Sequence, residues 1–447
     1  RISLHIPRNS LHGSLQTLYP DETMNQPLSR YVDYMYSYPH KTAYRPFPAP
    51  VSLLPYLEQL QGRKASLYFH IPFCSHKCGY CNLFSLQTNR TEYIATYLDT
   101  LHRQAQQLSP LTAGLTFDSF AIGGGTPLLL TVPQLEQLMA TAALFGVHPS
   151  HAFTSVETSP EYADRPRLNV LKKAGVSRVS IGIQSFQDEE LKAIKRRPRQ
   201  NTIYQALDDI RQMDFPYFNI DLIYGIKGQT VESFLYSLEE ALRFQPNELF
   251  IYPLYVRQGT GITEREPDDV CFRMYRAACK LLQAKGFLQT SMRRFIHHPS
   301  TDAEVSCGDE VMLSCGSGGR SYLGDLHYAT RYTVCQQCIA REIDEYMATT
   351  DFTVARNGFI LSAKEQQQRF IIKNLMYYMG IDKAEYTRRF GEPLDRTPLF
   401  RQLAEQYWIE ETPERIRLTP EGLGYSDYIG QLFITPEIRQ LMETYSY

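Results

Sequence analysis

The sequence predicts an α/β fold in which six strands alternate with helices to form a partial, TIM-like (β/α)6 barrel. Short apolar runs rich in β-branched and aromatic residues recur between about residues 65 and 252. Amphipathic segments with apolar residues at three- and four-residue spacing lie between these runs. Alternation of this kind implies parallel strands joined by helical crossovers. The predicted organisation is an arm over residues 1–62, the barrel with its extension over 63–345, and a small helical domain over 346–447.

The barrel elements follow from these runs in chain order. The predicted strands are Leu67–Ile71, Phe117–Ile122, Ala152–Glu157, Arg178–Ile183, Tyr217–Tyr224 and Leu249–Tyr252. The predicted helices are Thr91–Leu108, Val132–Phe145, Glu189–Ile194, Thr202–Met213 and Val231–Arg243. Functional residues of such barrels gather at the carboxyl ends of the strands, so motifs that follow the strands are expected on one rim.

The N-terminal arm is rich in proline and tyrosine, and its prolines exclude a long helix. The tyrosines are Tyr31, Tyr34, Tyr36, Tyr38 and Tyr44. Two interpretations remain open for them: rings that pack on the main domain, which is favoured, or a lid over a flat or aromatic substrate.

The C-terminal segment predicts a winged-helix-like unit. Its predicted elements are helices over 365–378, 380–390 and 399–408, followed by a hairpin of 409–411 and 416–419. Acidic and basic residues are intermixed there, so the charge pattern favours a packing domain over a DNA-binding one.

Composition excludes several function classes. Charged residues make up 21% of the 447 residues and the formal net charge is −2, which gives no footprint for nucleic acid or an anionic membrane. The chain contains no apolar run near the ~20 residues needed to cross a bilayer and no signal-peptide pattern. Nine cysteines in a chain of this length indicate ligands or free thiols in a reducing compartment. We therefore expect a soluble, cytoplasmic protein without nucleic-acid or membrane partners.

Cys74, Cys78 and Cys81 form the most informative motif, a Cys-x3-Cys-x2-Cys loop directly after the first strand. Three thiolates are one fewer than the four that usually hold a [4Fe–4S] cluster, so one iron would remain open to an external ligand. A zinc site with His70 or His76 as fourth ligand is the alternative from spacing alone.

Further polar and glycine motifs follow the later strands. Gly123, Gly124 and Gly125 lack side chains, so the backbone there can approach a ligand closely. Glu157, Gln184 and Asp221 end apolar strands, where a polar group needs a polar partner. Arg196 lies in a basic run, for which a solvated helix face is the ordinary explanation.

Six ordered pieces between Tyr68 and Tyr255 resemble the HemN-like radical S-adenosylmethionine (SAM) family. They are Tyr68-x-His-Ile-Pro-Phe-Cys74, Gly-Gly-Gly-Thr-Pro127, Val-Glu157, Gly-Ile-Gln-Ser-Phe186, Asn-Ile-Asp-Leu-Ile-Tyr-Gly225 and Gly228-Gln-Thr230. The tail resembles the C-terminal domain of the same family in Gly-Ile-Asp382, Arg-Phe-Gly391 and Leu-Thr-Pro-Glu-Gly422. The resemblance implies a radical SAM barrel followed by a HemN-type C-terminal domain.

The resemblance also implies cofactors and their binding residues. Cys74, Cys78 and Cys81 would hold a [4Fe–4S] cluster. SAM, as one molecule or two, would be lined by Tyr68, Tyr80, Gly124, Gly125, Thr126, Glu157, Gln184, Arg196, Asp221, Ile223 and Tyr255. Reductive cleavage of SAM would yield a 5′-deoxyadenosyl radical that acts on an unidentified small-molecule substrate. A one-electron donor such as flavodoxin or ferredoxin would supply the electron, and no catalytic side chain is assigned.

Departures from the oxidase of this family, the oxygen-independent coproporphyrinogen III oxidase, make that activity doubtful. The oxidase motif has a fourth cysteine at the position where this chain has Leu83. The Met-Asp-His-Phe run expected near Phe295 is replaced by Thr290-Ser-Met-Arg-Arg-Phe295. Arg293, Arg294 and Arg320 could bind a carboxylate or phosphate, or could lie on a solvated loop. A haem-binding chaperone, a two-SAM methyl or alkyl transferase and the oxidase itself remain as alternatives.

Two cysteines stand apart from these motifs. Cys335 and Cys338 could ligate an auxiliary cluster only with help from Cys307 or Cys315, so free thiols are favoured. The glycine-rich run from Ser314 to Tyr322 lacks the ending of a P-loop and is expected to close the substrate side of the barrel.

Overall fold

The computed structural model describes residues 30–446 except 33–34, 36, 148–150, 198, 298–310 and 395–396. Tyr34, Tyr36 and Cys307 therefore lie outside the described residues. Six parallel strands occupy neighbouring positions of one large sheet in chain order, as predicted. They are β1 (Lys64–Ile71), β2 (Thr116–Gly124), β3 (Phe153–Thr158), β4 (Arg178–Gln184), β5 (Tyr217–Tyr224) and β6 (Glu248–Pro253).

Helices cover the outside of these strands. The main ones are α1 (Thr91–Leu108), α2 (Val132–Ala143), α3 (Arg165–Lys173), α4 (Gln200–Gln212), α5 (Val231–Leu242) and α6 (Asp268–Ala284). Shorter helices are Leu54–Gln59 and Asp188–Ala193. Local signals begin several of them: Thr131 and Gln134 form a capping box before α2, and the Asp164 side chain accepts from the Arg167 N–H before α3.

The barrel is open because its two edge strands pair with different neighbours. β6 pairs with Arg294–Ile296, which continues to Leu288–Gln289, and β1 pairs with Val311–Cys315. The sheet then runs antiparallel through Arg320–Leu323, Leu326–Ala329 and Val354–Ile360, and ends at Arg45–Ser52. Helix Gln336–Ala348 lies between Leu326–Ala329 and Val354–Ile360 in the chain and packs on α1.

The N-terminal arm contributes a strand that the sequence did not predict. Arg45–Ser52 contains three prolines, which cannot donate to a sheet ladder. It pairs on one side only, with Val354–Ile360, and the pairing is irregular between Pro46 and Val51. Prolines are tolerated at such an edge position because no second neighbour needs their missing N–H groups.

The C-terminal segment has the predicted winged-helix-like form with its own apolar core. Its helices are Ala363–Leu375, Lys383–Phe390, Pro398–Glu405, Pro420–Leu423, Ser426–Leu432 and Pro436–Glu443. Its three-stranded sheet consists of Ile381–Asp382, Arg415–Leu418 and Ile409–Glu411. Met35 and Tyr38 of the arm belong to this core, while Tyr31 belongs to the barrel core. The buried tyrosines of the arm therefore favour the packing interpretation.

Candidate functional site

The three motif cysteines lie at the carboxyl end of β1. The short strand Phe73–Cys74 pairs with Leu86–Gln87, so both ends of the cysteine loop are tied together. All three thiols are free, and the Thr126 hydroxyl lies 3.6 Å from the Cys74 sulfur. Burial raises the pKa of Cys74 to about 11. Such thiols lose their protons and become thiolates when they coordinate a metal centre.

Residues from distant parts of the chain hold the middle of this loop. The Gly79 N–H donates to the Ile194 carbonyl at 2.9 Å, and the Gly79 carbonyl accepts from the Gly261 N–H at 2.6 Å. His76 Nε2 lies 2.7 Å from the Lys195 carbonyl oxygen and donates to it. This contact fixes the orientation of the His76 ring and, through it, helps to hold the loop.

The end of the loop is held by side-chain contacts. The Lys77 ammonium donates to the Leu83 carbonyl at 2.9 Å and to the Ser85 hydroxyl at 2.7 Å. The Tyr332 hydroxyl donates to the Asn82 carbonyl at 2.8 Å. The three cysteines are thus presented by a restrained segment, as binding of a preformed cluster would require.

His70 is fully engaged and cannot serve as a fourth metal ligand. Its Nε2 lies 2.9 Å from the Phe84 carbonyl oxygen, which can only accept, so Nε2 carries the proton. Its Nδ1 then accepts from the Tyr68 hydroxyl at 3.1 Å. Burial lowers the pKa of His70 to about 4, which keeps the ring neutral.

The arrangement of donors also bears on the kind of metal centre. Within the described ranges, no group of three His, Cys, Asp or Glu side chains is close enough to share one metal ion. A tetrahedral zinc site would need such a group. The thiolates of an iron–sulfur cluster bind different irons, so such a cluster does not need three donors around one ion.

The glycine run after β2 lies directly against the cysteine loop. A Cβ on Gly125 would overlap the Phe73 carbonyl oxygen and come within 2.9 Å of the Cys74 sulfur. Gly124 has a φ of 118°, a conformation that favours glycine. The Gly124 N–H lies 3.4 Å from the Glu157 carboxylate. The run is therefore required for close packing beside the cluster loop as well as for access to a ligand.

Two carboxylates face the same space. Glu157 remains accessible through the cavity although protein surrounds it, and this desolvation raises its pKa. Burial raises the pKa of Asp221 to about 7, and the neighbouring Glu157 adds to the rise. The Asn219 amide opposes the rise by donating to Asp221 at 2.8 Å. The two carboxylates are thus placed to accept hydrogen bonds from a polar ligand.

Gln184 and Arg196 converge on a third part of the site. Gln184 has a φ of 73° at an irregularity of the β4–β5 pairing. A Cβ on Gly182 would lie 2.6 Å from the Gln184 amide nitrogen and 3.6 Å from the Arg196 guanidinium. The Arg196 guanidinium lies 3.5 Å from the Tyr80 hydroxyl. Arg196 therefore lines the site and is not part of a solvated helix face.

Tyr255 connects the rim to the C-terminal domain. Its hydroxyl donates to the Asp427 carboxylate and accepts from the Arg293 guanidinium, which also pairs with Asp427. Arg293 and Asp427 are 4% and 0% exposed. Asp427 was not found by sequence reasoning, because no motif marks it.

The neighbouring arginines also have internal partners. Arg294 lies 2.7 Å and Arg178 lies 3.2 Å from the two carboxylate oxygens of buried Glu248. The Arg320 guanidinium donates to the Ser37 hydroxyl at 2.7 Å. Internal carboxylates thus compensate Arg293 and Arg294. The predicted alternative of a solvated loop is therefore wrong for these two residues, and their role as a substrate anchor stays a prediction.

The cysteines and the eleven predicted SAM-lining residues all border one cavity of about 630 Å³. This volume lies within the usual range for small-molecule sites. Leu83, at the missing fourth cysteine position, also lines the cavity. Sequence reasoning missed the side chains that the arm and the C-terminal domain contribute: Met35, His40, Lys41, Lys373, Met376, Tyr377, Ser426 and Asp427.

An auxiliary cluster receives no support from the described residues. Cys315 is fully buried within its strand, and burial raises its pKa well above the usual range. Cys335 and Cys338 do not line the cavity.

None of the helices in the described part of the chain combines the length and the apolar character that a membrane-spanning helix needs.

Comparisons with known proteins agree with this geometry. A family model of the Radical SAM superfamily matches residues 68–241, and one of the HemN C-terminal domain matches residues 361–424. Heme chaperone HemW of Bacillus subtilis is 27% identical over 386 residues, which cover 82% of this chain and 100% of that protein. Oxygen-independent coproporphyrinogen III oxidase of Salmonella typhimurium is 30% identical over 394 residues, which cover 80% of this chain and 83% of that protein.

A solved structure shows the same fold over nearly the whole chain. The coproporphyrinogen III oxidase HemN from Escherichia coli superimposes with a TM-score of 0.78 and 23% identity, covering 90% of this chain and 97% of that one. The predicted barrel with its C-terminal domain is thereby confirmed. Membership of the superfamily implies a [4Fe–4S] cluster and SAM as cofactors. Since a relative with 30% identity aligns over most of both chains, this protein belongs to the HemN-like radical SAM family.

Proposed function

We propose that this chain is a radical SAM enzyme that binds a [4Fe–4S] cluster through Cys74, Cys78 and Cys81 and acts on an anionic small molecule. The observation that carries the proposal is the common cavity, which joins the three cysteines to polar groups from the ends of β2 to β5. The reduced cluster, when bound, would supply the electron that cleaves SAM to methionine and a 5′-deoxyadenosyl radical, which removes hydrogen from the substrate.

The side chains of the cavity would orient SAM. The backbone at Gly124 and Gly125 is open to close approach, as a bound amino group beside the cluster requires. Arg196 and Gln184 offer donors for a carboxylate, while Glu157 and Asp221 accept from hydroxyl or amino groups. Equilibrium binding of labelled SAM to the reconstituted protein would distinguish one bound molecule from two.

The remainder of the cavity would hold the substrate. Met35 and Lys41 of the arm line it together with Lys373, Met376 and Tyr377 of the C-terminal domain. Basic side chains outnumber acidic ones along the lining even when the internally paired Arg178, Arg293 and Arg294 are left out, and apolar rings and methionines also line it. An apolar molecule with negative groups matches this lining. Walls contributed by the arm and the C-terminal domain would help to exclude water from a reactive radical.

The first test measures 5′-deoxyadenosine. Anaerobically reconstituted protein with SAM and dithionite should form it above a protein-free blank, and reduced flavodoxin or ferredoxin should replace dithionite if the proposed electron donors are right. Cys78→Ser should abolish product, since it removes one cluster ligand. Cys335→Ser is the matched control, because this thiol lies outside the cavity, and it should retain full activity. Protein with a complete cluster that forms no product above the blank would contradict the proposal.

Haem binding is the second candidate function. It is supported by Leu83 in place of a fourth cysteine and by the alignment with relatives named haem chaperones. A haem titration that shifts the Soret band stoichiometrically would support it, and an unchanged spectrum would remove it.

Two further reactions are distinguished by their products. Formation of S-adenosylhomocysteine, or of a methylated product, would indicate a two-SAM transferase. Turnover of coproporphyrinogen III would restore the oxidase assignment.

A further inference from the structure

The pair Cys335 and Cys338 lies at the start of helix Gln336–Ala348, outside the cavity. Cys335 is the N-cap residue and Cys338 is the third residue of the helix, so the two side chains lie next to one another on the first turn. Cys335 is exposed and Cys338 is half-buried, and both thiols are free. The pair therefore combines proximity with access from solvent.

The surroundings of these thiols differ from those of the other described cysteines. The Arg341 guanidinium lies 3.7 Å from the Cys338 sulfur. The N-cap residue Cys335 makes no side-chain hydrogen bond to the helix, and its neighbours are Cys338 and the first N–H groups of the helix. These neighbours lower the pKa of Cys335, the contact with Cys338 most strongly. Positive charge and a helix N-terminus both stabilise a thiolate.

The helix start also contacts the segment that follows the cluster cysteines. The Gln336 side chain accepts from the Gln87 N–H at 2.8 Å and donates to the Ser85 carbonyl at 2.9 Å. The thiol pair therefore borders the side chain that fastens the end of the cluster loop.

We propose that Cys335 and Cys338 form a redox-active dithiol that exchanges with external disulfides. The Cys335 thiolate attacks a disulfide RSSR and forms a mixed disulfide, releasing RS⁻. Cys338 then attacks the Cys335 sulfur and releases the second RS⁻. In total two protein thiols are oxidised to one intramolecular disulfide, RSSR is reduced, and the two thiol protons leave with two RSH. The oxidant is a disulfide of the glutathione class.

The test uses the full chain in anaerobic glutathione buffers of increasing oxidised fraction. After acid quenching and alkylation, trypsin should release residues 332–341, whose only cysteines are Cys335 and Cys338. We expect this peptide to convert to a form lacking two hydrogens, and dithiothreitol to reverse the conversion. Cys271 and Cys279 lie on separate tryptic peptides and serve as internal controls. Burial raises their pKa values to about 11 and about 12, so they should stay reduced in the folded chain.

Two variants separate exchange from nonspecific oxidation. Cys338→Ser should trap glutathione on Cys335, whereas Cys335→Ser should leave Cys338 unmodified. In the native chain Cys335 should alkylate at least about tenfold faster than Cys271, because each unit of pKa changes the thiolate fraction about tenfold. The proposal is overturned if residues 332–341 remain doubly alkylated in buffers that oxidise a thioredoxin reference dithiol. Conversion of Cys335 no faster than that of Cys271 would overturn it equally.

Discussion

The buried contact between Arg293 and Asp427 provides the sharpest test of how the C-terminal domain is attached to the barrel rim. The side chains of these residues are only 5% and 1% exposed, and the Tyr255 hydroxyl contacts both. In Asp427→Asn the hydrogen-bonding oxygen is kept but the countercharge of the guanidinium is lost. Breaking a buried pair by removing one partner costs about 3–5 kcal/mol, because an uncompensated charge stays buried. We expect the free energy of unfolding to fall by this amount.

An exposed pair provides the matched control. Arg30 and Asp269 are 2.8 Å apart, but the Asp269 side chain is 88% exposed. Exposed pairs contribute about 0–1 kcal/mol, so Asp269→Asn should change stability little. The double variant Asp427→Asn with Arg293→Met removes both buried charges and should recover most of the lost stability.

Urea denaturation followed by tryptophan fluorescence measures this effect. Trp408 is the single tryptophan of the sequence, and its ring stacks on Tyr425 with centroids 4.6 Å apart, two residues from Asp427. Its emission therefore reports unfolding of the domain that carries Asp427. If Asp427→Asn costs no more than Asp269→Asn, or if the double variant is no more stable than the single one, the ion-pair reasoning is refuted.

Three further predictions concern the site. Gly125→Ala should lower cluster occupancy after reconstitution, measured as iron per chain, because its Cβ overlaps a backbone carbonyl; Gly123→Ala meets only side-chain ends and should retain the cluster. If both variants keep full iron, the close packing is not needed. At neutral pH and without cofactors, Asp221→Asn should have a higher melting temperature than the parent. The folded pKa of this carboxyl is raised to about 7, so its contribution to stability is present at acidic pH and is lost as pH rises from about 4 to about 7. A stability difference independent of pH over this range would contradict the assignment. Gln336→Ala should speed cluster loss to a chelator because two hydrogen bonds to the loop disappear, while the exposed neighbour Gln337→Ala should not, and equal rates would show that the contact is unimportant.

The barrel could be predicted well because its strands are buried on both faces and therefore read as continuous apolar runs. Tyr217–Tyr224 and Thr91–Leu108 are observed with the bounds predicted, and the other predicted barrel elements shift by at most three residues, whereas the helices Arg165–Lys173 and Asp268–Ala284 were not named in advance. The edge strand Arg45–Ser52 was missed because its prolines oppose strand formation except at an edge, and edges are set by the tertiary arrangement.

Site residues at the ends of strands could be predicted from the sequence, whereas contacts with partners far away in the chain could not. Every predicted cofactor residue lines the cavity, and their binding roles stay predictions. The partners of Arg293 and Arg294 could not be read from sequence, because Asp427 and Glu248 lie 134 and 46 residues away. His70 was a candidate zinc ligand until the fold placed a carbonyl oxygen against its ring.

The fastening of the cysteine loop has a consequence for the order of events during biosynthesis. The residues that anchor it include Ile194, Gly261, Tyr332 and Gln336. The loop can therefore make all of these contacts only after more than 250 residues beyond Cys81 have been synthesised. Insertion of a cluster into the fully anchored loop then has to follow synthesis of residue 336. A fragment ending near residue 241 would present the three thiols on a loop that lacks its contacts with Gly261, Tyr332 and Gln336.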